Sequence, residues 1–219
     1  MGLNDGVPLD LQYRDRAPLQ SSEGKSPCLV LMHGYGSNEL DLLGLGDVLD
    51  PKLHIVSLRA PISMGNQAYA WFDLDWDASG PVPNEDQALV ARDSVIEFLI
   101  TVPGRFGVAE NFTIGGFSQG AMMALGITLA DPSVASRLIM MSGRVLSKFV
   151  PEVQDQRLSG VKALVQHGLS DEVLGYQGSR QAAELLRGYG AEVRHIEYPM
   201  RHEISQRSLG DIWNWMAEG

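Results

Sequence analysis

The chain has 219 residues, 44% of them hydrophobic, with a net charge of −10 and a pI near 4.9. An acidic chain without a basic cluster excludes a nucleic-acid partner, and no apolar run approaches the ~20 residues that span a bilayer, so no stable membrane insertion is expected. The single cysteine, Cys28, cannot form an internal disulfide, no Cys/His spacing suits a metal, and residues 1–10 lack the basic and apolar segments of a secretory signal.

These features fit one cytoplasmic domain over residues 1–219. Val7, Leu9, Leu11 and Tyr13 alternate with polar residues and predict an antiparallel edge strand, followed by a loop over 15–27. Residues 28–32 are continuously apolar, as in a strand buried on both faces. The segment His33-Gly34-Tyr35-Gly36 follows directly. Its glycines let the backbone turn its N–H groups outward, although the same residues also suit an ordinary strand-to-helix loop. Asn38 and Glu39 predict a helix start, with Leu42, Leu45 and Leu49 at helical spacing, and residues 53–58 form the next strand.

Residues 62–83 show no clear period, yet they carry Met64, Tyr69, Trp71, Phe72, Leu74 and Trp76. A long apolar loop either covers a site or packs against the core edge, and composition leaves both readings open. Asn84 caps a helix whose apolar face is Ala91, Val95, Phe98, Leu99 and Val102, with Pro103-Gly104 as its stop. Strands are expected at 112–114, 138–141, 161–166 and 191–197. Helices are expected at 119–130, around Ala182 and Leu186, and from 204 to 216. Residues 144–160 are irregular, with one helical turn. Trp215 falls off the apolar face of the last helix and is a candidate homodimer contact. Strands alternating with helices predict an α/β fold with a mainly parallel sheet and helices on both faces, and sites on such sheets sit at the carboxyl ends of the strands.

Gly116-Phe117-Ser118-Gln119-Gly120 lies between a short strand and an apolar helix. This G-x-S-x-G pattern forces a sharp turn with the serine at its tip, and a Cβ on either glycine would crowd it. A serine hydroxyl needs a base, and the base needs an orienting carboxylate. Of the two histidines near the chain end, His195 falls inside a strand and His202 follows one, so His202 is the better base. Asp171 follows a strand, whereas Asp155 does not, so Asp171 is the better acid. His167 precedes the acid in the chain and is read as a supporting residue.

The motifs His33-Gly34-Tyr35-Gly36, Arg59-Ala60-Pro61, Trp71-Phe72-Asp73, Gly115-Gly116-Phe117-Ser118-Gln119-Gly120, His167-Gly168-Leu169-Ser170-Asp171-Glu172-Val173 and Tyr198-Pro199-Met200-Arg201-His202 occur in this order. In them the chain resembles the carboxylesterase/phospholipase branch of the α/β-hydrolases, which includes acyl-protein thioesterases and bacterial esterases. The resemblance implies Ser118 as nucleophile, Asp171 as acid, His202 as base, and an oxyanion hole from the backbone N–H groups of Tyr35 and Gln119. It implies a small ester or thioester substrate and neither metal nor cofactor. Arg201 departs from the small residue usual before the histidine. Met64, Trp71, Leu74 and Met200 are the expected pocket residues, with the loop at about 62–83 covering the site. The rival readings are an acyl-thioesterase or lysophospholipase, and a catalytically silent binding protein on the same scaffold.

Overall fold

Strands of five to seven residues build the centre of the molecule, seen in a computed structural model that describes residues 11–77, 80–153 and 155–218. In chain order come β1 (Tyr13–Arg16), β2 (Cys28–Met32) and β3 (His54–Leu58). Four short strands follow, β4 (Ile62–Gly65), β5 (Ala68–Ala70), β6 (Leu74–Asp77) and β7 (Gly80–Pro83). Next are α1 (Glu85–Phe106), β8 (Thr113–Phe117), α2 (Gln119–Ala130) and β9 (Arg137–Met141). The chain ends with β10 (Lys162–Gly168), α3 (Gln177–Gly188), β11 (Glu192–Tyr198) and α4 (Gln206–Ala217).

The main sheet has seven strands in the order β1-β3-β2-β8-β9-β10-β11, all parallel except the antiparallel edge strand β1. Alternate residues of β2 and β3 enter opposite cores, as the two-residue period requires. Val30, Met32, Val56 and Leu58 pack towards α1, α2 and α3. Leu29, Leu31 and Ile55 pack towards α4 and the segment holding Leu42 and Leu49. Four carboxyl ends of parallel strands, those of β2, β8, β10 and β11, therefore open on one rim, each followed by one of the motifs above.

Several expectations shift. Val7 and Leu9 lie outside the described residues, and the edge strand runs over Tyr13–Arg16, into the stretch read as a loop. Its run of charged residues, Arg14, Asp15 and Arg16, carries no apolar alternation to mark the strand. The helix expected after Asn38 is only a 3-10 turn at Leu43–Asp47, where Gly44 and Gly46 lower helix propensity. Glu39 is instead buried, paired bidentately with Arg59, whose guanidinium also lies 4.8 Å from the Tyr69 ring centroid. Residues 62–83 fold as two antiparallel hairpins, whose strands of three or four residues are too short to print a period. α1 continues through Pro103 to Phe106 and ends on left-handed Gly107. A proline so near the helix end removes little of the bonding ladder. Trp215 is buried, with the Arg137 guanidinium 4.1 Å from its ring centroid, and Trp213 is the exposed one. The homodimer reading thereby loses the residue that prompted it.

Candidate active site

The backbone at Ser118 has φ 55° and ψ −116°, outside the regions comfortable for an L-residue with a side chain. Packing explains how it is held there. A Cβ on Gly116 would stand 2.4 Å from the Gly120 carbonyl, and one on Gly120 would stand 2.0 Å from the Met32 carbonyl oxygen. The elbow is thus wedged between β8, α2 and the end of β2. The Ser118 N–H donates to the Met141 carbonyl on β9 at 2.9 Å.

The structure brings Ser118, Asp171 and His202 together. His202 Nε2 lies 2.9 Å from Ser118 Oγ, and His202 Nδ1 lies 2.7 Å from Asp171 Oδ2. The loops carrying acid and base meet over Gly168, where a Cβ would stand 2.3 Å from the Met200 and Arg201 carbonyl oxygens. The Phe117 ring packs at 4.8 Å from the imidazole of His202. Arg201, which departs from the small residue expected before the histidine, is exposed.

Asp171 is saturated with donors. Its Oδ1 accepts the Val173 and Leu174 amides at 2.9 and 2.8 Å. Its Oδ2 accepts His202 and, at 3.1 Å, His167 Nε2. Burial pushes the carboxyl pKa up, but the hydrogen bonds from His167, His202 and Leu174 outweigh it and hold the group well below the ordinary carboxylate range. His167 Nε2 also faces the Leu174 carbonyl at 2.8 Å. Both neighbours are acceptors, so this nitrogen carries the proton. His167 is therefore the supporting residue expected, bound directly to the acid.

The loop after β2 runs alongside the serine, with the Cβ position of Gly34 only 3.4 Å from Ser118 Cβ. It is fastened to the first hairpin by Gly36 N–H to Tyr69 C=O at 2.9 Å and Tyr69 N–H to Ser37 C=O at 2.8 Å. His33 is wholly buried beneath it. Its Nε2 accepts the Ala60 N–H at 3.1 Å, its Nδ1 lies 2.7 Å from the Gly34 carbonyl, and the Trp71 indole donates to the His33 carbonyl at 3.0 Å. Burial lowers the His33 pKa below 6.5. The folded protein then takes up fewer protons than the unfolded chain as pH falls below 6.5, so stability drops in that window. The slope contributed by one such site approaches ~1.4 kcal/mol per pH unit. Urea melts at neutral and mildly acidic pH are expected to show a smaller acid loss for His33→Gln than for the native protein.

The Gln119 side chain does more than its place in the motif suggested. Its Oε1 accepts the Trp71 N–H and its Nε2 donates to the Phe72 carbonyl, both at 2.7 Å. Gln119→Leu leaves both backbone groups buried without partners, at ~1–3 kcal/mol each. A loss of about 2–6 kcal/mol in denaturant melts is expected, with KM raised because Phe72 borders the site. The spacing of Gln119 after the serine was visible, but its two acceptor and donor targets, 47 and 48 residues away, were not.

A cavity of about 170 Å³ opens beside Ser118 and His202. The second hairpin and the chain before it line one wall with Phe72, Leu74, Trp76, Pro81 and Pro83. Tyr35, Met122, Val173, Leu174 and Arg144 complete it. Of the expected pocket residues only Leu74 is there. Trp71 is wholly buried in the core, Met200 is buried at the base's loop, and Met64 is exposed on the first hairpin. Side-chain volume alone does not separate a core tryptophan from a pocket tryptophan. Among the described residues no group of His, Cys, Asp and Glu could hold a metal ion.

A sequence profile of the phospholipase/carboxylesterase family matches residues 18–218. The chain belongs to the phospholipase/carboxylesterase family of α/β-hydrolases. Relatives within this family include esterase YpfH of Escherichia coli K12, 32% identical over 83% of this chain and 78% of its own. Acyl-protein thioesterase 1 of Neurospora crassa is 26% identical over 75% of this chain and 71% of its own. The crystal structure of a carboxylesterase from Mesorhizobium loti shares the fold with a TM-score of 0.83 at 24% identity, over 99% of this chain and 98% of that one. Phospholipase/carboxylesterase membership makes the chain a hydrolase of the serine type.

Proposed function

We propose that the chain is a carboxylesterase that acts on small-to-medium esters through an acyl-enzyme on Ser118. The observation that carries this is the 2.9 Å contact between His202 Nε2 and Ser118 Oγ, with Asp171 behind the imidazole. His202 takes the serine proton as Oγ attacks the ester carbonyl, and then returns it to the leaving alcohol. Water repeats the sequence to release the acid. The backbone N–H groups of Tyr35 and Gln119 are the proposed donors to the tetrahedral oxyanion, where one donor is worth ~10²–10³ in rate. Among the described residues neither amide is recorded in a backbone hydrogen bond, so both are available to substrate.

The hairpins over 62–83 serve as the cover of the site, since the second lines the cavity. A cavity of about 170 Å³ lies below the ~300–1,000 Å³ of drug-sized sites and favours short acyl groups. That favours ester over lysophospholipid, while short thioesters use the same machinery. No helix among the described residues is long and apolar enough to cross a membrane, and the buried, unpaired Cys28 suits a reducing cytoplasm. The test is labelling of Ser118 by a fluorophosphonate together with hydrolysis of aryl esters, thioesters and lysophospholipids. A protein that labels nowhere and cleaves none of them is the silent binder instead.

A further inference from the structure

The cavity beside Ser118 holds one permanent positive charge, Arg144, against walls that are otherwise mostly apolar. Resting on the esterase reading above, we propose that Arg144 selects esters whose acyl part ends in a carboxylate, the half-esters of short dicarboxylic acids. A guanidinium has five N–H donors in a planar fork that suits a carboxylate. Among the described residues the Arg144 side chain makes one hydrogen bond, Nη2 donating to the Pro81 carbonyl at 2.7 Å. Several other arginines are tied to acids: Arg59 to Glu39, Arg157 to Asp155, Arg180 to Glu197 and Arg194 to Glu218. Arg144 pairs with no carboxylate among the described residues, although acidic residues outnumber basic ones 27 to 17. A part-buried guanidinium that spends one donor on a backbone carbonyl keeps its other N–H groups for an anionic ligand.

The backbone that delivers Arg144 is built for the purpose. Ser142 follows β9 with φ 50°, a positive φ like that of Ser118. Gly143 follows with no room for a side chain, since a Cβ there would stand 2.8 Å from the Ala121 Cβ. Gly178 at the start of α3 abuts Arg144, its Cβ position 2.7 Å from the Arg144 Cβ. The Ser118 N–H to Met141 C=O bond at 2.9 Å couples this bend to the elbow. Arg144 and Ser118 border the same cavity of about 170 Å³, a space that suits a short acyl chain. A purely mechanical role, bracing the second hairpin through Pro81, affects all substrates alike and is separable by experiment.

The measurement is kcat/KM for mono-4-nitrophenyl glutarate and for its uncharged five-carbon counterpart, 4-nitrophenyl pentanoate. The native enzyme prefers the glutarate, and added salt narrows the preference. Arg144→Met lowers the glutarate-to-pentanoate ratio by about ten- to hundredfold, mainly through KM, and Arg144→Lys recovers part of it. Arg144→Gln keeps an N–H for Pro81 without the charge and gives the same reading should the methionine variant not fold. Equal losses on both esters, or a ratio indifferent to residue 144, overturns the proposal and leaves the esterase reading intact. Native protein that cleaves neither ester takes both down.

Discussion

Ser118→Ala is expected to lower kcat for an aryl ester by about 10⁴–10⁶, and His202→Ala by a similar factor, with the double variant no slower than either. The reason is that hydroxyl and imidazole act as a unit: without the oxygen there is nothing to deprotonate, and without the base the oxygen is a poor nucleophile. Their 2.9 Å separation places the proton transfer within one hydrogen bond. Asp171→Asn is expected to cost nearly as much, ~10⁴. Both carboxylate oxygens accept N–H groups, two backbone amides on one and two imidazoles on the other. An asparagine must point its own N–H₂ at one of those pairs, so it either strips the support from the loop or turns the His202 ring. Steady-state and single-turnover assays distinguish these outcomes. Multiplicative losses in the Ser118/His202 double variant would falsify the shared role.

The parts of this fold that were readable in advance are those governed by a repeating period or by backbone sterics. β2, β3, β8, β9 and β10 lie within a few residues of the expected strands because their buried apolar residues cluster, whereas β11, with Glu192, Arg194, His195 and Glu197, is an edge strand of mixed character. The glycines around Ser118 predicted their own crowding, and the coordinates supply the atoms they make room for. Other features depended on contacts distant in the chain. The two hairpins were opaque because their exposed strands carry no alternation. Their first turn is set by left-handed Gly65, Asn66 and Gln67, of which only the glycine announces itself. Trp71 and Trp215 were assigned to a pocket and an interface, yet both are core residues with polar partners for ring or backbone, His33 and Gln119 for one and Arg137 for the other. Arg144 stands in a polar, irregular stretch, and its one signal in the sequence is the Ser142-Gly143 pair after β9, the strand next to the one that leads into Ser118.

Gly120→Ala is expected to be the most damaging single-methyl change in the chain. The added Cβ lands 2.0 Å from the Met32 carbonyl oxygen and 2.6 Å from that of His33. Both are backbone atoms at the end of a central strand, which cannot swing aside as a side-chain tip can. Either α2 lifts off β2, opening a core that includes wholly buried Met123, Leu125 and Ile127, or residues 33–35 move and carry the Tyr35 amide away from Ser118. The first route costs stability by an overpacking penalty at or above ~3 kcal/mol. The second removes a proposed oxyanion donor, at ~10²–10³ in kcat. Denaturant melts and aryl-ester kinetics on the same preparation therefore have to show at least one of these losses. Gly104→Ala is the control: it adds the same methyl within α1, where nothing lies within 4 Å, and helix propensity alone predicts a gain of ~0.5–1 kcal/mol. If both variants melt and turn over like the native protein, the elbow is not wedged against β2, and the strained φ at Ser118 needs another source of support.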